Sequence, residues 1–156
     1  MKRQKQHLIL SQIDKKLQPY YLFQNASMPP EGWISTLRNA LNMSLRQLGE
    51  KMGISAQSVK ALERNEKNGT ITIKSLREVA NALNMQVVYI LLPQEGSLES
   101  MIENRARQLA TEIVKRTSHS MKLEDQENSE ERIQQAVEEK TKELKDEMPK
   151  FLWDRN

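Results

Sequence analysis

The sequence contains no cysteine, which excludes disulfide bonds, thiolate nucleophiles and thiolate metal sites. Its two histidines, His7 and His119, lie far apart and indicate neither a catalytic dyad nor a metal cluster. No apolar run approaches the ~20 residues that a membrane-spanning helix needs, and the first residues lack the apolar core of a signal peptide. We expect a soluble cytoplasmic protein without a metal, cofactor or membrane partner, and catalysis is the weakest hypothesis.

Charge is unevenly distributed along the 156 residues. Residues 1–92 carry 13 Lys/Arg and 6 Asp/Glu, whereas residues 93–156 carry 11 and 15. A basic half attached to an acidic half predicts a polyanionic partner for the basic half only.

The periodicity of apolar residues predicts an all-α protein in three parts. Residues 1–29 read as a basic N-terminal arm or short helix followed by a linker. Residues 30–93 form the central domain, and residues 94–156 form an acidic helical extension for dimer or partner binding. The basic residues at the start are interpreted either as a solvated, irregular terminus or as an arm that enters the DNA minor groove.

The segment Leu45–Asn65 has the pattern of a helix-turn-helix. Ser44 and Gln47 form a predicted capping box for its first helix, and Ser55 is the predicted N-cap of the second. Gly53 supplies a left-handed residue at the turn, while Gly49 permits the two helices to approach closely. We therefore predict that the second helix enters the major groove of DNA.

The outward positions of the second helix are the predicted DNA contacts. Gln57 can form a bidentate contact with adenine, Ser58 can bond a base edge or a phosphate, and small side chains can meet a thymine methyl group. The predicted base-reading residues are Ala56, Gln57, Ser58, Lys60 and Ala61. The predicted phosphate-binding residues are Ser44, Arg46, Arg64, Asn65 and Lys67.

The period of apolar residues changes at Met85–Leu92, a β-branched run that ends at Pro93. A lone strand in a helical chain has unpaired backbone groups, which pairing with the same strand of a second subunit would satisfy. The alternative is a short buried helix or an extended tail that packs on its own domain. The predicted dimer strand comprises Gln86, Val87, Val88, Tyr89, Ile90 and Leu91.

The C-terminal residues Phe151, Leu152 and Trp153 look exposed in the sequence pattern. Two interpretations are open: a tail that docks on its own subunit, or a tag that binds a partner.

Residues 33–92 resemble the Xre family, the helix-turn-helix of phage repressors and Cro. The resemblance rests on Leu37-Arg38, Ser44, Leu48-Gly49, Met52-Gly53-Ile54-Ser55, Val59, Leu62-Glu63, Leu76 and Ala80. It implies a five-helix DNA-binding domain that binds a palindromic operator as a homodimer. Leu45 departs from the family, which often has a phosphate-binding Gln at this position.

A narrower resemblance covers nearly the whole chain. The strings GWI, GTIT, VVYILLP and MKLEDQ are similar to the "mobile mystery protein A" family, bacterial Xre-type regulators on mobile DNA beside a Fic-domain protein. This resemblance implies a nucleoid-associated regulator with a Fic-domain partner. Ser120 and Glu124 match the Ser-x-x-x-Glu start of the inhibitory motif of Fic antitoxins, although Asp125 departs from the next position.

Two functional hypotheses follow. The first is a homodimeric, sequence-specific repressor that also serves as the autoregulatory, antitoxin-like partner of a Fic-domain protein. The alternative is a protein-binding antitoxin that inhibits a Fic-type toxin through its C-terminal half, with DNA binding secondary.

Overall fold

The computed structural model describes residues 2–123 and 130–155, and all of their side chains except those of residues 120–123. This part of the chain contains helices and no β-strand. The α-helices are α1 (Lys2–Leu17), α2 (Trp33–Ala40), α3 (Leu45–Met52), α4 (Ala56–Lys67), α5 (Ile73–Ala82), α6 (Leu98–Leu123) and α7 (Glu130–Glu147). Two short 3-10 helices span Gln18–Phe23 and Lys150–Trp153.

The contacts divide the described residues into two compact units. Unit 2 comprises residues 25–91, and unit 1 combines the segments 1–24 and 92–156. The sequence pattern instead predicted that residues 1–29 form an arm or short helix and a linker, separate from the C-terminal extension. The difference arises because α1 packs on residues that lie about a hundred positions later in the chain, a contact that no local pattern reveals.

Unit 2 contains four α-helices, α2 to α5, around one small core. Each helix supplies one fully or almost fully buried side chain, and the residue after α5 adds a fifth. The core residues are Ile34, Leu48, Val59, Val79 and Leu83. The structure thus does not confirm the expected layout of five helices and a strand.

Residues 85–93 follow α5 and have no regular secondary structure. Val87 and Ile90 are half-buried, whereas Val88 and Leu91 are 74% and 86% exposed. The predicted strand is not confirmed, because a strand needs a hydrogen-bonded neighbour and no described residue of this chain provides one. Pairing with a second subunit stays a prediction.

Unit 1 is built on the packing of α6 against α7. Ile102, Ala106 and Ala110 recur every four residues on α6 and are buried against Leu144 of α7. The two alanines have side chains small enough for the helices to approach closely. Leu152 of the C-terminal 3-10 helix completes this core and is fully buried.

Helix α1 begins at Lys2, so the described basic residues at the start are helical rather than part of an irregular arm. Its Asp14 carboxylate accepts hydrogen bonds from the backbone N–H groups of Leu98 (2.9 Å) and Glu99 (3.2 Å). Asp14 therefore caps the N-terminus of α6 from 84 residues away. The Arg3 guanidinium lies 3.4 Å from the Glu147 carboxylate at the end of α7.

The C-terminal tail docks on its own unit. Besides the burial of Leu152, the Arg105 guanidinium donates hydrogen bonds to the carbonyls of Leu152 (2.6 Å) and Asp154 (2.7 Å). The expectation that Leu152 is exposed is wrong, because α6 and α7 leave a space that this side chain fills. Phe151 and Trp153 remain about half exposed.

Candidate nucleic-acid interface

Helices α3 and α4 form a helix-turn-helix with a local cap on each helix. The Ser44 hydroxyl accepts from the Gln47 N–H (3.1 Å), and the Gln47 side chain accepts from the Ser44 N–H (2.8 Å), so the capping box is present. Gly53 ends α3 with φ +70°, the left-handed conformation that glycine adopts without strain. The Ser55 hydroxyl caps α4 by accepting from the Ser58 N–H (3.1 Å).

Gly49 brings the turn close to α3. A Cβ atom added to Gly49 would lie 2.5 Å from the Ile54 carbonyl oxygen and 3.3 Å from the Ser55 carbonyl carbon. Both contacts are to backbone atoms, which cannot rotate away as a side chain can. The close approach predicted from the sequence is therefore present, and it fixes where α4 begins.

The outer face of α4 carries the predicted base-reading residues. Gln57, Ser58 and Lys60 are exposed, and Ala56 and Ala61 are half-buried beside them. Neither the Gln57 nor the Lys60 side chain forms a hydrogen bond or ion pair with another described residue. The Ser58 hydroxyl, in contrast, lies 2.9 Å from the Ser55 hydroxyl, so part of its hydrogen-bonding capacity is used within the cap.

The predicted phosphate-binding residues differ in how far they are engaged. The Arg64 side chain is exposed and has no partner among the described residues, whereas Arg46 pairs with Glu50 on α3. The Lys67 ammonium lies 2.9 Å and 3.0 Å from the two Glu31 oxygens. Exposed ion pairs contribute little to stability, so a phosphate can replace either carboxylate at small cost.

Ser44 and Asn65 are engaged through different atoms. The Ser44 side chain belongs to the capping box, and Asn65 is half-buried. The Asn65 carbonyl accepts from the N–H groups of Thr70 (2.8 Å) and Ile71 (3.2 Å) and so ends α4 in a compact loop. The Ser44 contact is the capping box predicted from the sequence, whereas the contacts of the Asn65 carbonyl were not predicted.

A charged pair between α2 and α4 fixes the inner side of α4. The Arg38 guanidinium donates to both Glu63 oxygens (2.6 Å and 3.3 Å) and to the Met43 carbonyl (2.8 Å). The two side chains are only 11% and 13% exposed. Breaking such a sheltered pair by removing one partner leaves an uncompensated charge. In the sequence, Arg38 and Glu63 belong to the pattern of the family resemblance, but no role was predicted for either of them.

Glu66 is a second contact between α4 and α2 that the sequence did not indicate. Its carboxylate accepts from the N–H groups of Trp33 (2.9 Å) and Ile34 (2.8 Å), the first two residues of α2. The sequence contains one indication of this contact. Gly32, which precedes α2, has no side chain that could cap the helix, so the N–H groups of Trp33 and Ile34 have no local acceptor.

The charge of the two units differs from the charge of the two halves of the sequence. Residues 25–91 carry 8 Lys/Arg and 5 Asp/Glu, whereas the segments of unit 1 carry 16 of each. The basic residues of α1 thus belong with the acidic C-terminal helices. The excess positive charge lies in unit 2, which contains the helix-turn-helix.

The predicted Fic-inhibitory residues cannot be assigned a site. The Ser120 backbone belongs to α6, but its side chain is not described, and Glu124 lies outside the described residues. Within the described ranges no three His, Cys, Asp or Glu side chains cluster as metal ligands do. None of the helices described is both long and apolar enough to cross a membrane.

Comparison with known proteins agrees with the geometry of unit 2. Residues 34–90 match the family model for the Xre-type helix-turn-helix, a DNA-binding regulatory domain rather than an enzyme family. The match covers α2 to α5 and most of the segment that follows them. It supports a DNA-binding transcription regulator. No curated protein and no solved structure matches the chain significantly.

Proposed function

We propose that this protein is a repressor that binds a palindromic operator as a homodimer and reads its bases with α4. The observation that carries the proposal is the division of α4 into two sides. Its inner side is fixed by buried and charged contacts, whereas Gln57, Lys60 and Arg64 on its outer side are exposed and uncommitted. A rigid helix with unengaged polar side chains is what recognition in the major groove requires.

Binding to the DNA upstream of the protein's own coding sequence tests the proposal. A mobility-shift titration compares that duplex with a random duplex of equal length, over a range of salt concentrations. We expect preference for the upstream duplex and a steep fall in affinity with salt, because phosphate contacts release counterions. Equal affinity for the two duplexes would contradict sequence-specific recognition.

The homodimer is proposed to form through residues 86–91. The N–H groups of residues 86–92 make no hydrogen bond with any described part of the chain, so they are available to a neighbouring strand. Beside them lies an apolar groove of about 380 Å³, whose other walls come from α2, α5, Met28 and Glu66. Val88 lines this groove, and both Val88 and Leu91 are largely exposed. A second copy of the segment satisfies both the backbone and the apolar side chains.

The variant Val88→Asp tests this interface, and Asn81→Asp is the control, because Asn81 is an exposed residue of α5 outside the groove. Sedimentation equilibrium should show a wild-type dimer, a dimeric control and a monomeric V88D variant. DNA affinity should fall with the dimer. A monomeric wild-type protein, or a V88D variant that stays dimeric, would contradict the strand pairing.

A role as the antitoxin-like partner of a Fic-domain protein is the second proposal. It rests on the resemblance of the sequence and on two exposed aromatic side chains of the C-terminal tail, Phe151 and Trp153, which can bind a protein. Inhibition of the Fic-type toxin through the C-terminal half, with DNA binding secondary, is the alternative form of this proposal.

Point variants test the partner role better than a deletion, because residues 118–156 include the buried Leu144 and Leu152 of unit 1. The chain should protect cells from the adjacent Fic protein, and Glu124→Ala should abolish protection if the motif is inhibitory. Glu127→Ala, which removes the same charge nearby, is the control. Full protection by the E124A variant would contradict the role of Glu124.

A further inference from the structure

The N-terminus of α2 has no cap of its own. Gly32 occupies the N-cap position with φ +83° and ψ 164°, and it has no side chain that can accept a hydrogen bond. The first N–H groups of a helix have no partner within the helix. Both oxygens of the Glu66 carboxylate fill this role, one at 2.9 Å from the Trp33 nitrogen and the other at 2.8 Å from the Ile34 nitrogen.

The fit between Gly32 and Glu66 is close. A Cβ atom on Gly32 would lie 2.7 Å from the Glu66 Oε2 atom, and the positive φ already disfavours any other residue there. The adjacent pair of Lys67 and Glu31 joins the same two segments. The last turn of α4 is thus bound to the residues at which α2 begins.

Glu66 and Glu63 lie three residues apart and share one side of α4. Glu63 holds Arg38 near the end of α2, and Glu66 holds the start of the same helix. Two contacts separated along α2 restrict both the rotation and the tilt of α4. Without the Glu66 contact, α4 is still held by Val59 and Glu63, but its last turn loses its hydrogen bonds to the start of α2.

We propose that Glu66 is a positioning residue for base recognition: by capping α2 from α4, its carboxylate fixes the angle at which Gln57 and Lys60 meet the base edges. The proposal rests on the proposed function of α4 in DNA recognition. Contacts with bases depend on hydrogen-bond geometry, whereas attraction to phosphates is tolerant of small displacements. Loss of Glu66 should therefore lower specificity more than general affinity for DNA.

The experiment measures the affinity of the full chain for two duplexes. One is selected by the wild-type protein from a random library, and the other is an unselected duplex of equal length. The variants are Glu66→Ala, Glu66→Gln and, as the control, Glu78→Ala. Glu78 is exposed on α5 and has no partner among the described residues, so its loss changes the net charge equally without affecting the cap.

We expect E66A to lower the ratio of the two affinities by about tenfold, comparable to losing one bidentate base contact. E66Q, which keeps one acceptor oxygen, should have a smaller effect, and E78A should leave the ratio unchanged. Amide exchange at Trp33 and Ile34 should accelerate in E66A while the circular dichroism stays that of the folded protein. The dependence of binding on salt should be unchanged.

If the ratio of the two affinities is high in the wild type and the same in folded E66A, the proposal is overturned, and the only role of Glu66 is to cap α2. If E66A is unfolded at the assay temperature, the ratio in E66Q decides in the same way. A wild-type ratio near one would instead contradict the proposed function itself, so the two failures are distinguishable.

Discussion

Within α4, the residues that hold the helix are separate from the residues proposed to contact DNA. Val59 is fully buried in the core, and Glu63 and Glu66 are engaged with α2. Gln57 and Lys60 have no such contacts. Substitution of the outer residues should therefore change DNA binding without changing the stability of unit 2.

Gln57→Ala and Arg64→Ala, which change a predicted base-reading and a predicted phosphate-binding residue, should have different effects on DNA binding. Loss of a bidentate base contact should weaken binding to the selected duplex by about 1–3 kcal/mol and relax the base preference at one position. Loss of a phosphate contact should weaken binding to all sequences and reduce the salt slope by about 1. Titrations with selected and random duplexes check both. Identical losses of specificity in the two variants would contradict these assignments.

Gly49→Ala should destabilise unit 2. Helix propensity alone predicts a gain of about 1 kcal/mol from this change. The added Cβ, however, would lie 2.5 Å from the Ile54 carbonyl oxygen, and such overpacking costs about 1–3 kcal/mol. We expect the clash to prevail, and chemical denaturation measures the sign.

Gly53→Ala is the comparison variant for this measurement. A Cβ at Gly53 meets no atom within 4 Å, so its cost is only that of the positive φ, about 1 kcal/mol. A G49A protein as stable as wild type would contradict the close approach of the turn to α3.

At the scale of elements, the pairing of α6 with α7 combines an apolar seam with a charged cluster. The Lys145 ammonium lies 2.9 Å from a Glu103 oxygen and 3.1 Å from a Glu99 oxygen. The hydrogen bonds to Glu103 and Glu99 raise the pKa of Lys145, and the hydrogen bond from Lys145 lowers the pKa of Glu103. This cluster makes the stability of unit 1 depend on pH.

The stability of unit 1 should fall at both ends of the pH range. The folded pKa of Glu103 is lowered, so its contribution is present above the unfolded value near 4.3 and is lost as pH falls through the folded value. The folded pKa of Lys145 is raised, so its contribution is present below about 10.4 and is lost as pH rises through the folded value. Both effects are modest, because the two side chains are partly exposed and solvent screens their charges.

Thermal melting in steps of about one pH unit, from about pH 3 to about pH 11, checks this dependence. Lys145→Met should flatten both flanks of the profile. Lys142→Met, an exposed position of the same helix, should leave them unchanged. An unaltered profile in the K145M variant would contradict the contribution of the cluster.

Local signals in the sequence predicted the elements whose ends are fixed locally. Ser44 and Ser55 cap α3 and α4, so both starts were predicted at the right residues. The contacts of Asp14 with α6 and of Glu66 with α2 join residues 84 and 32 positions apart. Their partners are set by the tertiary fold, and a carboxylate in a helix has no pattern that distinguishes a remote cap from a solvated charge.

The predicted strand at residues 86–91 failed to appear for a different reason. β-branched residues indicate a pleated conformation, but a strand exists only with its neighbour. Among the described residues no neighbour is present. The candidate base-reading surface was predictable because it depends on the local helix-turn-helix, whereas the pairing of copies depends on a second chain.

At the scale of the whole molecule, the two units differ in how they use the chain. Unit 2 is continuous, whereas unit 1 joins two distant segments. Within unit 1, the Gln24 side-chain amide donates to the Pro93 carbonyl (2.6 Å) and so brings together the two points from which unit 2 emerges. A continuous unit with its own core is expected to fold alone.

A fragment of residues 25–91 should thus be helical and unfold cooperatively. Its 67 residues make a domain whose stability is small, because small domains bury a limited fraction of their surface. Circular dichroism during urea denaturation measures this. The transition should coincide with that of unit 2 in the full chain, and a fragment without a cooperative transition would show that unit 2 needs unit 1.

The discontinuity of unit 1 also sets an order of events during synthesis. Helix α1 leaves the ribosome before α6, which ends roughly 100 residues later, a wait of about 5–20 s at usual elongation rates. Unit 2 is translated entirely within this interval. The nascent chain therefore holds a finished helix-turn-helix while α1 still lacks the helices against which it packs.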